Sequence, residues 1–410
     1  MIFCVQAPKS DLAYLHQVAH EVCDSARVAP GAEIPGSGRN TTGYALRAPG
    51  GTLTYYPAFW VRDAAMMLGA DLVPEAEIEG WIRVIAKTQP GLAGLRFDHG
   101  LYVPPFSIPD HVTLDGRACW YPGAYTEQGV GDYGFLPPAD DAFYFVQIVY
   151  EAWCQRPSVL SEEVETGWGS HPLKEVCEKA FESVAAESDS GCVVCQSDPH
   201  TTRVDWGFCD SVRKTGKCLM PTLLRWQAAR RMNSMGITTF RDQEKRIRRS
   251  LEATFYVPIT EEEGYLRSAT GLGNQDDIWA SAFALWLGVL DRKTEKRISR
   301  HLQRLYRSGA IAVDGQVREL PVDQYWNQSS AGKDTYQNGG YWGTPTGWMV
   351  KALAKTDRKQ AGKLLHEYVQ FIRDSRGKGA PFEWINPATN AYANPNYGSS
   401  AGLVYAAVAR

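Results

Sequence analysis

Three short segments of this 410-residue sequence combine residue types that could do chemistry. Phe59-Trp60-Val61-Arg62-Asp63 sets a rigid guanidinium fork beside a two-oxygen acceptor at a helix start, which suits neighbouring hydroxyls of a sugar. Adjacent residues on a helix do not face each other, so ligand contact is favoured over a mutual ion pair. Asp205-Trp206-Gly207-Phe208-Cys209-Asp210 places two carboxyls among aromatic rings, and an apolar wall of Trp206 and Phe208 would help a carboxyl keep its proton near neutral pH. The competing use of that segment is a helix cap with ion pairing to Arg213 or Lys214. Glu383 stands in Pro381-Phe382-Glu383-Trp384-Ile385-Asn386-Pro387, a short extended piece, where it could equally be an ordinary exposed loop residue.

Three more clusters have the makings of a binding surface. Pro138-Ala139-Asp140-Asp141 and Asn274-Gln275-Asp276-Asp277 each put two carboxylates at a helix start. One of each pair is expected to cap its helix and the other to face the site, with Asp141, Gln275 and Asp276 as the candidates. Gln337-Asn338-Gly339-Gly340-Tyr341-Trp342 offers the amides and aromatics of a sugar pocket, with glycines that permit close backbone approach. Asn338, Tyr341, Trp342 and the later Trp384 are the candidates there. For any single one of the 13 Trp and 20 Tyr residues, core packing remains the better expectation.

These residues need elements to position them. Loops rich in Trp, Tyr, Gly and carboxylates run at Tyr56 to Asp63, Gly131 to Asp141, Asp205 to Gly216, Gly273 to Asp277, Asn338 to Trp348 and Phe382 to Ser400. Each opens an apolar helix, and they recur at intervals of roughly 45 to 75 residues. The pattern predicts six loop-plus-helix-pair units closing into a mainly α toroid, an (α/α)6 ring, with all six loops on one rim. About a dozen helical segments are expected, including Asp11 to Ala26, Asp277 to Leu290 and Ser399 to Ala409. Val193, Val194 and Thr202 to Val204 are expected to form a small hairpin. No linker or compositional break divides the chain, so residues 1–410 are expected to be one domain.

Composition narrows the partners. A net charge of −3 with scattered basic residues argues against nucleic acid and anionic membrane surfaces. No stretch approaches the roughly 18 apolar residues of a membrane span, and no basic-then-apolar start marks a secretion signal, so a cytoplasmic protein is expected. Nine cysteines, an odd number, fit reduced thiols. Cys192 and Cys195 form a CxxC pair, but no second pair or HxxxH stands nearby, and no metal or organic cofactor is expected. Oligomeric state is left open.

With these residues in view, the Trp-x-Arg-Asp signature resembles that of the six-hairpin (α/α)6-barrel glycosidases, the glucoamylase, trehalase and α-glucosidase group. The resemblance is strong at the motif and covers the order of the carboxylates and the helical layout. It implies that Arg62 and Asp63 hold the terminal sugar at the non-reducing end, and Trp60 of the same motif is a further substrate-binding candidate. It also implies a general acid in the 205–216 segment, Asp210 before Asp205, although glucoamylases carry Glu there in a different local order. Glu383 is similar in position to the catalytic base of the group. The implied activity is inverting hydrolysis of a small oligosaccharide or glycoside, with glucose favoured and a carboxyl separation of about 6.5 to 9.5 Å. The same toroid also serves polysaccharide lyases and sugar epimerases, and a non-catalytic carbohydrate-binding protein is a further alternative.

Overall fold

The computed structural model describes residues 8–36, 38–50, 56, 58–69, 71–122, 134–198 and 200–409. Pro57 of the first rim loop and residues 131–133 of the second lie outside the described residues. The described α-helices are α1 (Lys9–Ser25), α2 (Val61–Met66), α3 (Glu75–Thr88), α4 (Asp141–Gln155), α5 (Leu173–Glu182), α6 (Leu219–Ser234), α7 (Arg241–Phe255), α8 (Ile278–Leu287), α9 (Arg292–Arg307), α10 (Thr346–Ala354), α11 (Arg358–Ser375) and α12 (Ser399–Ala409). The even-numbered helices touch in sequence, α2 to α4 and onward to α12, which closes back on α2. The odd-numbered helices pack outside them, α1 on α12, α3 and α5 on α4, α7 on α6, α9 on α8 and α10, and α11 on α10. This is the expected (α/α)6 ring, and each of the six rim loops leads into one inner helix.

Side-chain pattern decides which helix lies inside. Ile278 to Leu285 of α8 are buried without interruption, as expected of a helix apolar on all sides. α9 instead buries Ile298, Leu302, Leu305 and Tyr306 along one stripe and turns its Lys and Arg residues outward. Close helix approach needs small residues: a Cβ on Gly347 of α10 would lie 2.7 Å from the Ala407 Cβ on α12.

Several local expectations change. α1 starts at Lys9 rather than at Asp11, which lies in its first turn and accepts from His366 Nδ1 at 2.7 Å. Val194–Cys195 pairs with Gly216–Lys217 rather than with 202–204, because the rim loop that opens α6 folds back over that strand. Among the described residues no helix is long and apolar enough to cross a membrane.

Two antiparallel sheets frame the rim. One joins β1 (Ala58–Trp60), β2 (His111–Thr113) and β3 (Ala118–Cys119). The other runs in order through β4 (Ala312–Val313), β5 (Gln316–Val317), β6 (Tyr341–Trp342), β7 (Phe382–Asn386) and β8 (Ala391–Pro395). In its last pair Phe382 faces Pro395 and Trp384 faces Ala393, so Asn394 stands opposite Glu383.

Candidate functional site

At the N-terminal ends of the inner helices lies a cavity of about 370 Å³. α2 brings Arg62 and Asp63 to it, and β1 brings Trp60. The loop before α6 contributes Gly207, Phe208, Asp210 and Ser211. β7 contributes Glu383, and Tyr56, Tyr336 and Tyr397 complete much of the wall.

Arg62 is the hub of one side. Its Nε donates to Asp140 Oδ2 at 3.0 Å, and its Nη2 donates to Asp110 Oδ1 at 2.6 Å and to both oxygens of Asp141 at 3.1 Å. All three carboxylates are buried. Burial works against charge on Asp110, but Arg62 and His111 overcome it and hold this carboxyl below the usual range. Burial and crowding by the other acids push Asp141 well up. Asp140 also accepts from the Gly207 N–H at 3.0 Å, so the cluster grips the loop that carries Asp210. Gly207 has to be glycine, since a Cβ there would sit 1.9 Å from the Arg62 Cζ. Neither Asp140 nor Asp141 caps α4 through its side chain, and Asp141 does not line the cavity; the guanidinium outcompetes the helix end for both.

Asp63 lines the cavity, accepts from the Tyr397 hydroxyl at 2.9 Å, and is pushed up to about 7 by burial. Trp60 stacks on His111 with ring centroids 4.3 Å apart and meets Tyr56 edge-on.

Asp210 and Glu383 share this cavity but not the same surroundings. Glu383 is buried at the base of the wall, where both oxygens take the Tyr56 hydroxyl at 2.8 and 2.9 Å and one takes the Asn394 amide. Asn394 also donates to the Tyr56 oxygen at 3.0 Å, making a donor chain that ends on the carboxylate. Asp210 follows a 3-10 turn, Gly207–Cys209, and accepts one long side-chain bond, 3.3 Å, from the Gln337 amide. Desolvation pushes Glu383 to about 8 and Asp210 to about 7, each raised further by nearby acids, so around neutrality the pair readily holds a proton. Tyr56 and Asn394 work against that rise at Glu383 by stabilising its ionised form, while among the described side chains Asp210 has only the long Gln337 donor to support its charge.

Asp205 belongs elsewhere. It is sealed beneath the cavity, 3.5 Å from Lys214 Nζ, with neither oxygen hydrogen-bonded, and burial raises it to about 6. Lys214 also lies 3.5 Å from Glu319 and 3.2 Å from the Cys209 sulfur, whose thiol donates to Glu319 at 3.0 Å. Trp206 is buried against Trp279 and Trp348 and donates to the Tyr144 hydroxyl at 2.9 Å.

Other expected contacts are likewise absent from the cavity wall. Gln275 staples a neighbouring loop through Tyr325 O and Asn327 N. Asp276 turns to His301 at 2.6 Å, while Asp277 caps α8 through the Ala280 N–H at 2.8 Å, so neither of that pair faces the site. Asn338 accepts from Trp326 N and donates to Ala331 O, each at 2.9 Å, and so shapes the Ser330–Ala331 edge of the cavity. Tyr341, Trp342 and Trp384 lie in the five-stranded sheet, with Trp342 packed edge-on under Phe208. The residues missed were Tyr56, Asp110, Tyr336, Gln337 as a partner of Asp210, Asn394 and Tyr397. Tyr56, Asn394 and Tyr397 fall inside recognised rim loops, but no spacing rule pairs residues more than 300 positions apart. Among the described residues no cluster of three or more His, Cys, Asp or Glu is placed to hold a metal ion.

No family model matches the chain, and no curated protein matches it. Solved structures do. A structure described as a wild-type glycosidase aligns over 98% of both chains with a TM-score of 0.58 at 12% identity. The GH63 mannosylglycerate hydrolase of Thermus thermophilus, solved with Tris and D-glycerate and also with glucose, aligns over 96% of this chain and 99% of its own. Its TM-score with Tris and D-glycerate bound is 0.56 at 12% identity. Hormoconis resinae glucoamylase aligns over 98% of this chain and 73% of its own, with a TM-score of 0.54 at 13% identity. At such identities the likeness is one of fold, and the shared fold is the six-hairpin glycosidase-like toroid.

Proposed function

We propose that the chain is one catalytic domain, a glycoside hydrolase that releases a single sugar from the non-reducing end of a small glycoside with inversion. The observation that carries this reading is the pairing of Asp210 and Glu383 on one cavity, where among the described residues one long side-chain donor meets Asp210 and two side chains donate to Glu383. Asp210 protonates the leaving oxygen. Glu383, whose ionised form Tyr56 and Asn394 stabilise, removes a proton from the attacking water on the opposite face of the ring. Arg62 and Asp63 grip hydroxyls of the terminal sugar and Trp60 offers a ring face. The cavity lies at the small end of ligand pockets, which favours one sugar ring with a small aglycone.

A glucose-configured sugar is favoured by the Trp-x-Arg-Asp resemblance and by a structural neighbour solved with glucose. The eight cysteines among the described residues are free thiols, which supports a reducing, cytoplasmic setting. A lyase acting on a uronate has less support, because three acids already balance the charge of Arg62 and Tyr341 lies in the sheet. An epimerase would need a histidine acid or base, and none of the described residues lining the cavity is a histidine.

The test is proton NMR of the protein with α- and β-linked glucosides, galactosides, rhamnosides and uronides, following the first-formed anomer. Inverted product that vanishes in D210N and E383Q supports the assignment. Retained anomer would break the proposed water-activating role of Glu383, and an unsaturated uronide would identify a lyase.

A further inference from the structure

Among the described residues a single side chain donates to Asp210, and the geometry of that donor has chemical content. Gln337 is buried, and its Nε2 donates both to the Phe208 carbonyl at 2.5 Å and to Asp210 Oδ1 at 3.3 Å. A backbone carbonyl can only accept, so the nitrogen end of the amide must face the acid turn. The other end agrees, since Gln337 Oε1 receives the Ser211 hydroxyl at 2.6 Å. Ser211 and Asp210 are consecutive, and a Ser330 N–H to Ser211 O bond of 2.8 Å ties the same turn to the cavity edge. Gln337 is therefore held at both ends by the segment that bears the acid, and one of its N–H groups is directed at Oδ1.

We propose that Gln337 is the positioning residue of the general acid. By donating to Oδ1 it confines the transferable proton of Asp210 to Oδ2 and keeps the plane of the carboxyl fixed at the cavity wall. The inference rests on the reading of Asp210 as the acid of a glycoside hydrolase. In the step concerned, the Oδ2–H bond breaks as hydrogen bonds to the glycosidic oxygen. The bond from the anomeric carbon to that oxygen gives its electron pair to the departing alcohol, and Asp210 becomes a carboxylate. The Gln337 N–H then faces an anion instead of a neutral carbonyl oxygen. Charge-assisted bonds are shorter and roughly twice as strong, so the contact strengthens as the proton leaves and favours the transition state over the ground state.

The experiment compares an alkyl glycoside with the corresponding glycosyl fluoride, whose leaving group needs little protonation, in the wild type, D210N and Q337M. Wild-type hydrolysis of both, with D210N losing mainly the alkyl glycoside, establishes the acid; an inactive wild type, or a D210N that keeps its alkyl glycosidase activity, overturns the underlying reading regardless of Gln337. With the acid established, Q337M should lower kcat on the alkyl glycoside by about 10- to 100-fold while the fluoride changes by less than about threefold. Loss of a donor to the ionised form also raises the pKa of the acid, so the alkaline limb of the kcat profile should move to higher pH. Equal losses on both substrates with an unmoved limb would overturn the proposal, as a purely structural role gives that result. Should Q337M fail to fold, S211A releases Oε1 while keeping the amide, and should show the same leaving-group dependence at smaller size; S211A affecting both substrates alike would count against the proposal in the same way.

Discussion

Arg62 and Lys214 are both buried cations ringed by acids, yet one forms part of a cavity wall and the other is sealed behind it. Arg62 reaches its three carboxylates at 2.6 to 3.1 Å through a planar fork. Lys214 sits 3.5 Å from both Asp205 and Glu319, and the oxygens of Asp205 find no hydrogen bond. Burial accordingly raises Asp205 to about 6 and Glu319 to about 8. A guanidinium can fix the direction of several acids at once, whereas an ammonium supplies charge with little orientation. The first cluster is thus a rigid frame for the turn that carries Asp210, although burial raises Asp141 within it, and the second holds Asp205 and Glu319 by charge with little orientation.

The largest expected effect separates the clusters by function. D210N and E383Q should each lower kcat by about a thousandfold or more, and D205N by less than about tenfold, in steady-state assays on the best glycoside of the NMR panel. A D205N loss equal to that of D210N would make the sealed acid part of the catalytic machinery and erase the distinction.

Stability sharpens it next. R62M strands three buried carboxylates and should cost about 3 to 5 kcal/mol in urea unfolding. K214M should cost a similar amount at pH 8 but markedly less at pH 5. The sign follows from the raised folded-state values of Asp205 and Glu319: below about 6 both acids are protonated, and a neutral acid needs no cation beside it. A K214M deficit independent of pH would show that the second cluster is as rigid as the first.

Y56F comes third. It removes a donor from Glu383, which makes the proposed base harder to ionise, so kcat should fall about tenfold and the acidic limb of the rate profile should move to higher pH. An unmoved acidic limb would remove Tyr56 from the account of the base.

The smallest effect concerns the whole chain. Glu383 and Glu319 at about 8, Asp63 at about 7 and Asp205 at about 6 all exceed the ordinary carboxyl value near 4, so the folded chain binds more protons than the unfolded one. Their contribution is fully present below the unfolded pKa and is lost as pH rises through the folded values. Denaturation midpoints should therefore decline from pH 5 to pH 8, and E383Q should lessen the decline. A midpoint that rises over this range would contradict it.

Legibility differed between fold and site. The ring could be read because each inner helix follows a loop of recognisable composition, and α8 is apolar on every side while α9 is apolar on one stripe. Asp205 and Asp210 could not be told apart in the same way. They lie five positions apart among the same aromatics, and only the turn at Gly207–Cys209 sends one to the cavity and the other beneath it. Asp140 and Asp141 looked like a cap and a ligand, but both were claimed by an arginine some 80 residues earlier. Gln275, Asp276, Asn338, Tyr341, Trp342 and Trp384 had the right chemistry for a sugar, yet local hydrogen bonds and the five-stranded sheet gave them scaffolding roles.

Periodicity and loop composition, which are local properties, were sufficient to determine the helical ring, its common rim and the candidate carboxyls. The state of each carboxyl was decided by tertiary structure alone. Proton affinity depends on burial and on donors within a few ångströms, and those donors come from Tyr56, Gln337 and Asn394, whose distances from their acids along the chain range from 11 to 327 residues.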